Sequence, residues 1–288
     1  MLKKINWKAV LFVFTWLVCL AGLGVLMSFI DSKKSELKCS DVKVIIPGTS
    51  SFIDRKEVNR ILDKHAGPLV GRFLYEINIH RIEKVLKENP YIRKARVYAD
   101  MDGVVHIEIE QREPLLRVIN YTNQNFYIDN DGFKIPASAS YTPHVLVVNG
   151  FVMEHFSGRT DTLKTEMAKD LYRAALYIQS DSLWKEQIEQ MYVNEQKEIE
   201  LVPRVGNHKI LLGNADSLDI RLRNLLIFYK KAIPSVGWDA YKTINIKYAN
   251  QIICEKNMID SNHNTAPVAE ISPVDSLENI TNNKKIKP

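Results

Sequence analysis

Along the chain the alternation of hydrophobic and polar positions changes rhythm several times, and each change predicts an element. Residues 9–30, AVLFVFTWLVCLAGLGVLMSFI, contain no charged side chain. A helix of about 20 apolar residues covers a hydrocarbon core of roughly 30 Å, so this stretch predicts a single transmembrane helix. It is longer than the roughly 7–15 apolar residues of a cleaved signal peptide and has no Ala-x-Ala exit, so it reads as a retained anchor. Lys3, Lys4 and Lys8 precede it, while Lys33, Lys34, Lys38 and Lys43 follow it. That balance does not orient the helix. A following segment of hundreds of residues crosses largely regardless of its lysines, which places residues 1–8 inside the cell and the bulk of the chain outside.

After a charged linker at residues 31–40, residues 41–112 predict an α+β domain. Val42, Val44 and Ile46 alternate with Lys43 and Ile45 and meet Pro47-Gly48, a strand ended by a turn. Val58, Ile61, Leu62 and His65 fall at helical spacing up to Gly67-Pro68, and Ile79, Ile82, Val85 and Leu86 repeat the spacing up to Asn89-Pro90. The period then becomes 2. Ala95, Val97 and Ala99 lead through Asp102-Gly103 to Val105, Ile107 and Ile109, a hairpin with one buried face. The order strand, helix, helix, strand, strand implies two helices covering one face of a three-stranded sheet.

Residues 113–255 read as a mostly antiparallel β domain with two long helices. Residues 126–128 and 133–136 flank Asn130-Asp131-Gly132 as a hairpin, and residues 145–148 form a buried-type strand ending at Gly150. A helix carries Leu163, Met167, Leu171, Ala174, Ala175 and Ile178 on one side, with Thr160 or Asp161 as its cap. Strands at 188–193, 199–202 and 209–212 make a meander. A second helix buries Leu218, Leu222, Leu225, Leu226 and Tyr229, leaves Arg221, Arg223, Lys230 and Lys231 on the remaining surface, and ends at Pro234. The final strands are 243–248 and 251–254, joined by Ala249-Asn250. Residues 256–288 lack aromatics and are rich in Asn, Ser, Thr and Pro, the composition of a disordered tail.

The composition agrees with a globular body: of 288 residues, 45% are hydrophobic and 25% charged. The net charge of +5 comes from Lys and Arg interleaved with acids, which argues against a nucleic-acid footprint. Of three cysteines, Cys19 lies in the apolar stretch; Cys39 and Cys254 read as free thiols, although an oxidising compartment would allow them to pair. The motifs of zinc proteases, serine hydrolases, phosphate-binding loops and Cys-x-x-Cys redox sites are all missing, so no enzyme, metal or small-molecule cofactor is expected. Asp129 to Gly132 resembles the start of a calcium loop, but the twelfth position is Ser140 instead of Glu, which leaves a plain turn. His106 and Glu108 share the polar face of the hairpin as a solvated pair. Four triplets, beginning at Asp161, Asp181, Asp216 and Asp275, have the form Asp-Ser/Thr-Leu. They resemble the acceptor pattern of some bacterial extracytoplasmic O-glycosylation systems. Helix capping is the other reading of the first three.

The segment INIHRIEKVLKENPYIRKARVYADMDGVVHIEIEQREPLLRV resembles the POTRA domain of the bacterial cell-division family FtsQ, also called DivIB. The likeness lies in a helix ending at Asn89-Pro90, the following Tyr91-Ile92, a basic strand, a hairpin, and a strand running into Arg112-Glu113-Pro114. It extends to the second domain, where a helix again precedes the final strands. The resemblance implies a bitopic divisome scaffold of the inner membrane. Such a protein binds FtsB-like and FtsL-like partners in the periplasm and helps recruit and regulate the septal peptidoglycan synthase. POTRA modules of translocation or outer-membrane assembly systems are the alternative, but those come in several copies. By resemblance, the partner-binding residues are Lys247, Tyr248, Ala249, Asn250, Gln251, Ile252, Ile253 and Cys254. Lys247 stands where Arg is common, which exchanges a bidentate clasp for a point contact.

Overall fold

The computed structural model describes residues 7–48 and 52–257. Most of the tail proposed at residues 256–288, the Asp275 triplet within it, and residues 1–6 of the N-terminal segment lie outside the described residues. The chain divides into two compact units, Met1–Gln111 and Arg112–Pro288.

The first unit opens with α1 (Trp7–Glu36). Its described side chains, Trp7 and residues 11–25, are all exposed. Among the described residues no helix is long and apolar enough to cross a membrane. Then come β1 (Asp41–Ile45), α2 (Arg55–His65), a 3-10 turn (Leu74–Glu76), α3 (Ile79–Lys87), β2 (Ile92–Ala99) and β3 (Val104–Gln111). The sheet order is β1-β3-β2, with β1 parallel and β2 antiparallel to β3. Period-2 alternation puts Val105, Ile107 and Ile109 fully inside, against Val58 and Leu62 of α2 and Ile82 and Leu86 of α3. Asp54 and Asn78 start the two helices by accepting from the N–H groups of Glu57 and Arg81 at 2.8 and 2.9 Å. His65, expected on the apolar face of α2, is exposed. It stands in the last turn, where a basic side chain suits the exposed carbonyl end of the helix.

The second unit runs β4 (Pro114–Ile119), β5 (Asn125–Asp129), β6 (Phe133–Pro136), β7 (Leu146–Gly150), β8 (Asp161–Thr162), α4 (Glu166–Ser180) and α5 (Ser182–Gln187). It continues with β9 (Ile188–Val193), β10 (Ile199–Pro203), β11 (Lys209–Gly213), α6 (Leu218–Lys231), α7 (Ile233–Val236), β12 (Tyr241–Asn245) and β13 (Ile253–Lys256). Its strands form one sheet in the order β13-β12-β11-β10-β9-β7-β4-β5-β6-β8. Three of its nine pairings, β4 with β7, β7 with β9, and β11 with β12, are parallel. β9, β10 and β11 are the predicted meander. One core joins α4, α5 and α6 to the sheet through Leu171, Ile178, Trp184, Leu222 and Leu225.

Several local expectations give way to tertiary contacts. α4 begins at Glu166 and not near Thr160, because Thr165 caps it by accepting from Ala168 N–H at 3.2 Å. Leu163 therefore precedes the helix, and Asp161-Thr162 pairs with β6. That start is set by Glu154, whose buried carboxylate accepts from the N–H groups of Lys164 and Thr165 and from the Thr165 hydroxyl. The same carboxylate meets Lys134 Nζ at 2.6 Å, both side chains being 1% exposed. Arg221, expected on the outer side of α6, is buried. Its guanidinium donates to the carbonyls of Leu212 and Asn214 at 3.1 and 3.0 Å, closing the turn between β11 and α6. α6 stops at Lys231, and Pro234 sits in the first turn of α7, where its missing N–H leaves no helical bond unmade. Asp129 organises its turn by accepting from Asp131 N–H and Phe133 N–H at 3.0 and 2.7 Å, while its other oxygen meets Arg112 at 2.6 Å. His106 bonds Asp100 at 3.0 Å, and Glu108 instead takes the hydroxyl of Tyr98.

Candidate partner-binding edge

The sheet of the second unit ends at β13. One side of β13 is paired antiparallel to β12, with Ile244 opposite Cys254 and Asn245 opposite Ile253, and no other described strand pairs its outer side. Unpaired backbone groups along such a strand are a template for one more strand. The last two strands differ from expectation: β12 covers Tyr241–Asn245, β13 covers Ile253–Lys256, and residues 246–252 connect them. Lys242 is bulged out of the pairing, which shifts its register.

The proposed contact residues divide into three groups. Ile252 and Cys254 pack on the core, and burial pushes the Cys254 thiol up to about 11. Ile253 on the opposite face is 48% exposed, and in the connection Tyr248 is 51% exposed, with Asn250 and Gln251 also exposed. Lys247 and Ala249 are engaged within the chain. Lys247 Nζ meets both oxygens of Glu198 at 2.9 and 3.2 Å, and its stem lies so close to Gly213 that a Cβ there would come within 2.9 Å of Cγ. Gly213 has φ of +80°, so a side chain at that position would be strained and would push the Lys247 stem aside. The Ala249 carbonyl accepts from Asn224 Nδ2 at 2.7 Å, which ties the connection to α6. The row that Ile253 starts runs inward across the sheet: Ile253 is opposite Asn245, which is opposite Leu211, then the buried Glu200, then Tyr192.

The internal partners of residues 247–254 come from distant parts of the chain. Glu198, Gly213 and Asn224 hold the region in place from three different elements, and no local period marks them. The strand shift follows from Lys247: the Asn245 side chain accepts from the Lys247 N–H at 3.0 Å, which turns the chain out of the β12 ladder.

A small α+β unit followed by a large mixed-sheet unit with an open terminal strand defines a two-domain, POTRA-plus-β architecture. Residues 37–110 match the family model of the POTRA-like domain, and residues 113–255 match that described as FtsQ/DivIB, C-terminal related. The second domain of this chain thus belongs to the FtsQ/DivIB C-terminal-related family. Among curated relatives, the chain is similar to proteins named Cell division protein FtsQ. The one from Rickettsia bellii is 28% identical over 107 residues, 37% of this chain and 38% of the relative. The one from Rickettsia conorii is 28% identical over 126 residues, 44% of each chain. The match covers about two fifths of these relatives' length.

Proposed function

We propose that this protein is a non-catalytic, bitopic scaffold of the bacterial divisome. The stretch at residues 9–30 crosses the inner membrane once, with the N-terminus cytoplasmic and both units in the periplasm. β13 receives a strand from an FtsB-like partner, an FtsL-like protein joins the complex, and the assembly recruits and regulates the septal peptidoglycan synthase at the division site. No nucleic acid and no small-molecule substrate takes part.

The observation that carries this reading is the open edge of β13 beside the exposed Tyr248 and Ile253. A strand added at an edge gains main-chain hydrogen bonds, and alternate side chains supply specificity. Because Lys247 is already paired with Glu198, the backbone and Tyr248 carry more of the contact than the lysine does.

The test is capture of partners by the full chain extracted in detergent, followed by mass spectrometry. The expected recovery is small single-pass coiled-coil proteins of the FtsB and FtsL kind. It should fall several-fold for Tyr248→Ala and more for Ile252→Pro, which stiffens the entry to the edge strand. Equal recovery from wild type and both variants sinks the edge assignment. Recovery of outer-membrane barrel proteins instead favours a translocation or assembly role.

A further inference from the structure

Two loops of the first unit grip the chain where it leaves α1. Leu74 N–H donates to the Leu37 carbonyl at 2.9 Å, Cys39 N–H to Arg72 at 2.8 Å, and Gly71 N–H back to Cys39 at 2.8 Å. From the β2–β3 turn, the Gly103 carbonyl accepts from Ser40 N–H at 2.9 Å, and Asp102 takes the Ser40 hydroxyl at 3.2 Å. This turn is so close that a Cβ on Gly103 would stand 2.4 Å from the Lys38 carbonyl. Both loops are therefore fixed within a few residues of the end of α1 at Glu36.

The same two loops carry the most exposed large apolar side chains of this unit outside α1. Val70 is 58%, Tyr75 67% and Met101 92% exposed, against 43% and 44% for Ile45 and Tyr98 on the strands. Tyr75 is stacked on Phe73 at 5.4 Å, and Lys38 Nζ lies 4.9 Å from the centre of the Phe73 ring, so a cation borders the patch. Exposed apolar groups on two loops fixed to the same short stretch of chain mark an interaction site, and here the tether chooses what they meet. From Ile30, the last residue of the uncharged stretch, to Glu36, a helix rises about 9 Å. A headgroup layer is roughly 5–7 Å deep on each side of the hydrocarbon, so the exit from α1 stands at its outer rim. Tyrosine, apolar side chains and neighbouring cations such as Lys38 and Arg72 partition into this layer, while Glu76, Asp100 and Asp102 of the same loops keep to its watery side.

We propose that the loops at residues 69–76 and 100–103 form a bilayer-contact surface in which Val70, Tyr75 and Met101 enter the lipid interface around the root of the anchor. This surface holds the POTRA-like domain against the membrane. The inference rests on the reading of residues 9–30 as membrane-crossing.

The experiment uses the full chain, labelled with an environment-sensitive fluorophore and reconstituted into vesicles of phosphatidylethanolamine and phosphatidylglycerol containing a nitroxide lipid. Labels are placed at Tyr75→Cys, Met101→Cys and, as a control on the same domain, Tyr98→Cys, all in a background of Cys19→Ser, Cys39→Ala and Cys254→Ala, which removes the three native thiols. Native Cys19, labelled separately with Cys39 and Cys254 replaced in the same way, reports on the anchor. Quenching at positions 75 and 101 should exceed that at 98 several-fold. Quenching no greater than at 98, with the Cys19 label quenched, overturns this inference and leaves the anchor reading intact. A Cys19 label that escapes quenching overturns both.

Discussion

Among the described residues, the Lys134–Glu154 pair puts both charges in the interior, with the same carboxylate fixing the start of α4. Burial alone raises the Glu154 pKa. The Lys134 ammonium and the donors from Thr165 and Lys164 outweigh it and hold the carboxyl below its ordinary value. A depressed carboxylate contributes stability that is fully present above the unfolded value, about 4.3, and is lost as pH falls through the folded one. Glu154→Gln leaves the buried Lys134 ammonium with the His155 carbonyl at 2.9 Å and the more distant Asp161 carboxylate at 3.8 Å, and urea unfolding followed by tryptophan fluorescence should show a loss of up to about 3–5 kcal/mol. The joint replacement of Glu154 by Gln and Lys134 by Met, which removes the charge but keeps an acceptor for the Lys164 and Thr165 donors, should cost less than Glu154→Gln alone.

His208 offers a second titration. It is buried, bonds the Tyr229 hydroxyl at 2.7 Å and stacks on Trp238, and burial lowers its pKa despite the opposing influence of the Trp238 carbonyl and Asp239. Its folded value is below its unfolded one, so the unfolded chain takes the proton first and stability declines as pH falls below about 6.5. The urea midpoint should drop between about pH 7 and about pH 5, and His208→Asn should flatten that slope.

Among the elements, what the sequence makes legible is what repeats. The two POTRA-like helices, the hairpin of β2 and β3, and the meander of β9 to β11 follow from period 3.6 or 2, because a buried face must recur at that spacing. The boundaries of α4, the burial of Arg221 and the shift of β12 come from single long-range bonds, and no local pattern encodes a bond between Glu154 and Thr165. The candidate edge was half legible for the same reason. Its apolar alternation shows in Ile252 and Cys254, whereas the clamps from Glu198 and Asn224 do not. The Asp-Ser/Thr-Leu triplets separate the two kinds of signal. Asp181 does cap α5, accepting from the N–H groups of Leu183 and Trp184 at 2.8 and 3.0 Å. Asp161 lies in a strand, and Asp216 accepts from Asn214 while Ser217 before α6 makes no capping bond. Asp181→Ala should therefore cost about 1 kcal/mol of unfolding free energy, and Asp216→Ala within about 0.5 kcal/mol of nothing.

For the whole molecule, the proposed anchor changes how strong the β13 edge has to be. β13 has only four residues, Ile253–Lys256, and a strand of that length added in dilute solution makes few hydrogen bonds. Partners held in the same membrane meet at an effective concentration that reaches the millimolar range for short tethers, so a weak edge contact suffices once both chains are confined. On the proposed topology, confinement, and not the identity of the helix, is what the stretch at residues 9–30 would supply. Replacing it with an unrelated transmembrane helix should preserve partner capture and division, whereas releasing the chain from residue 31 as a soluble protein should lower partner occupancy by orders of magnitude in vivo. Microscopy of septal localisation, with capture from the same cells, distinguishes the outcomes. Loss of division with the exchanged helix would mean that α1 makes specific contacts of its own, and loss confined to the soluble form would leave tethering as the reason so short an edge can hold a partner.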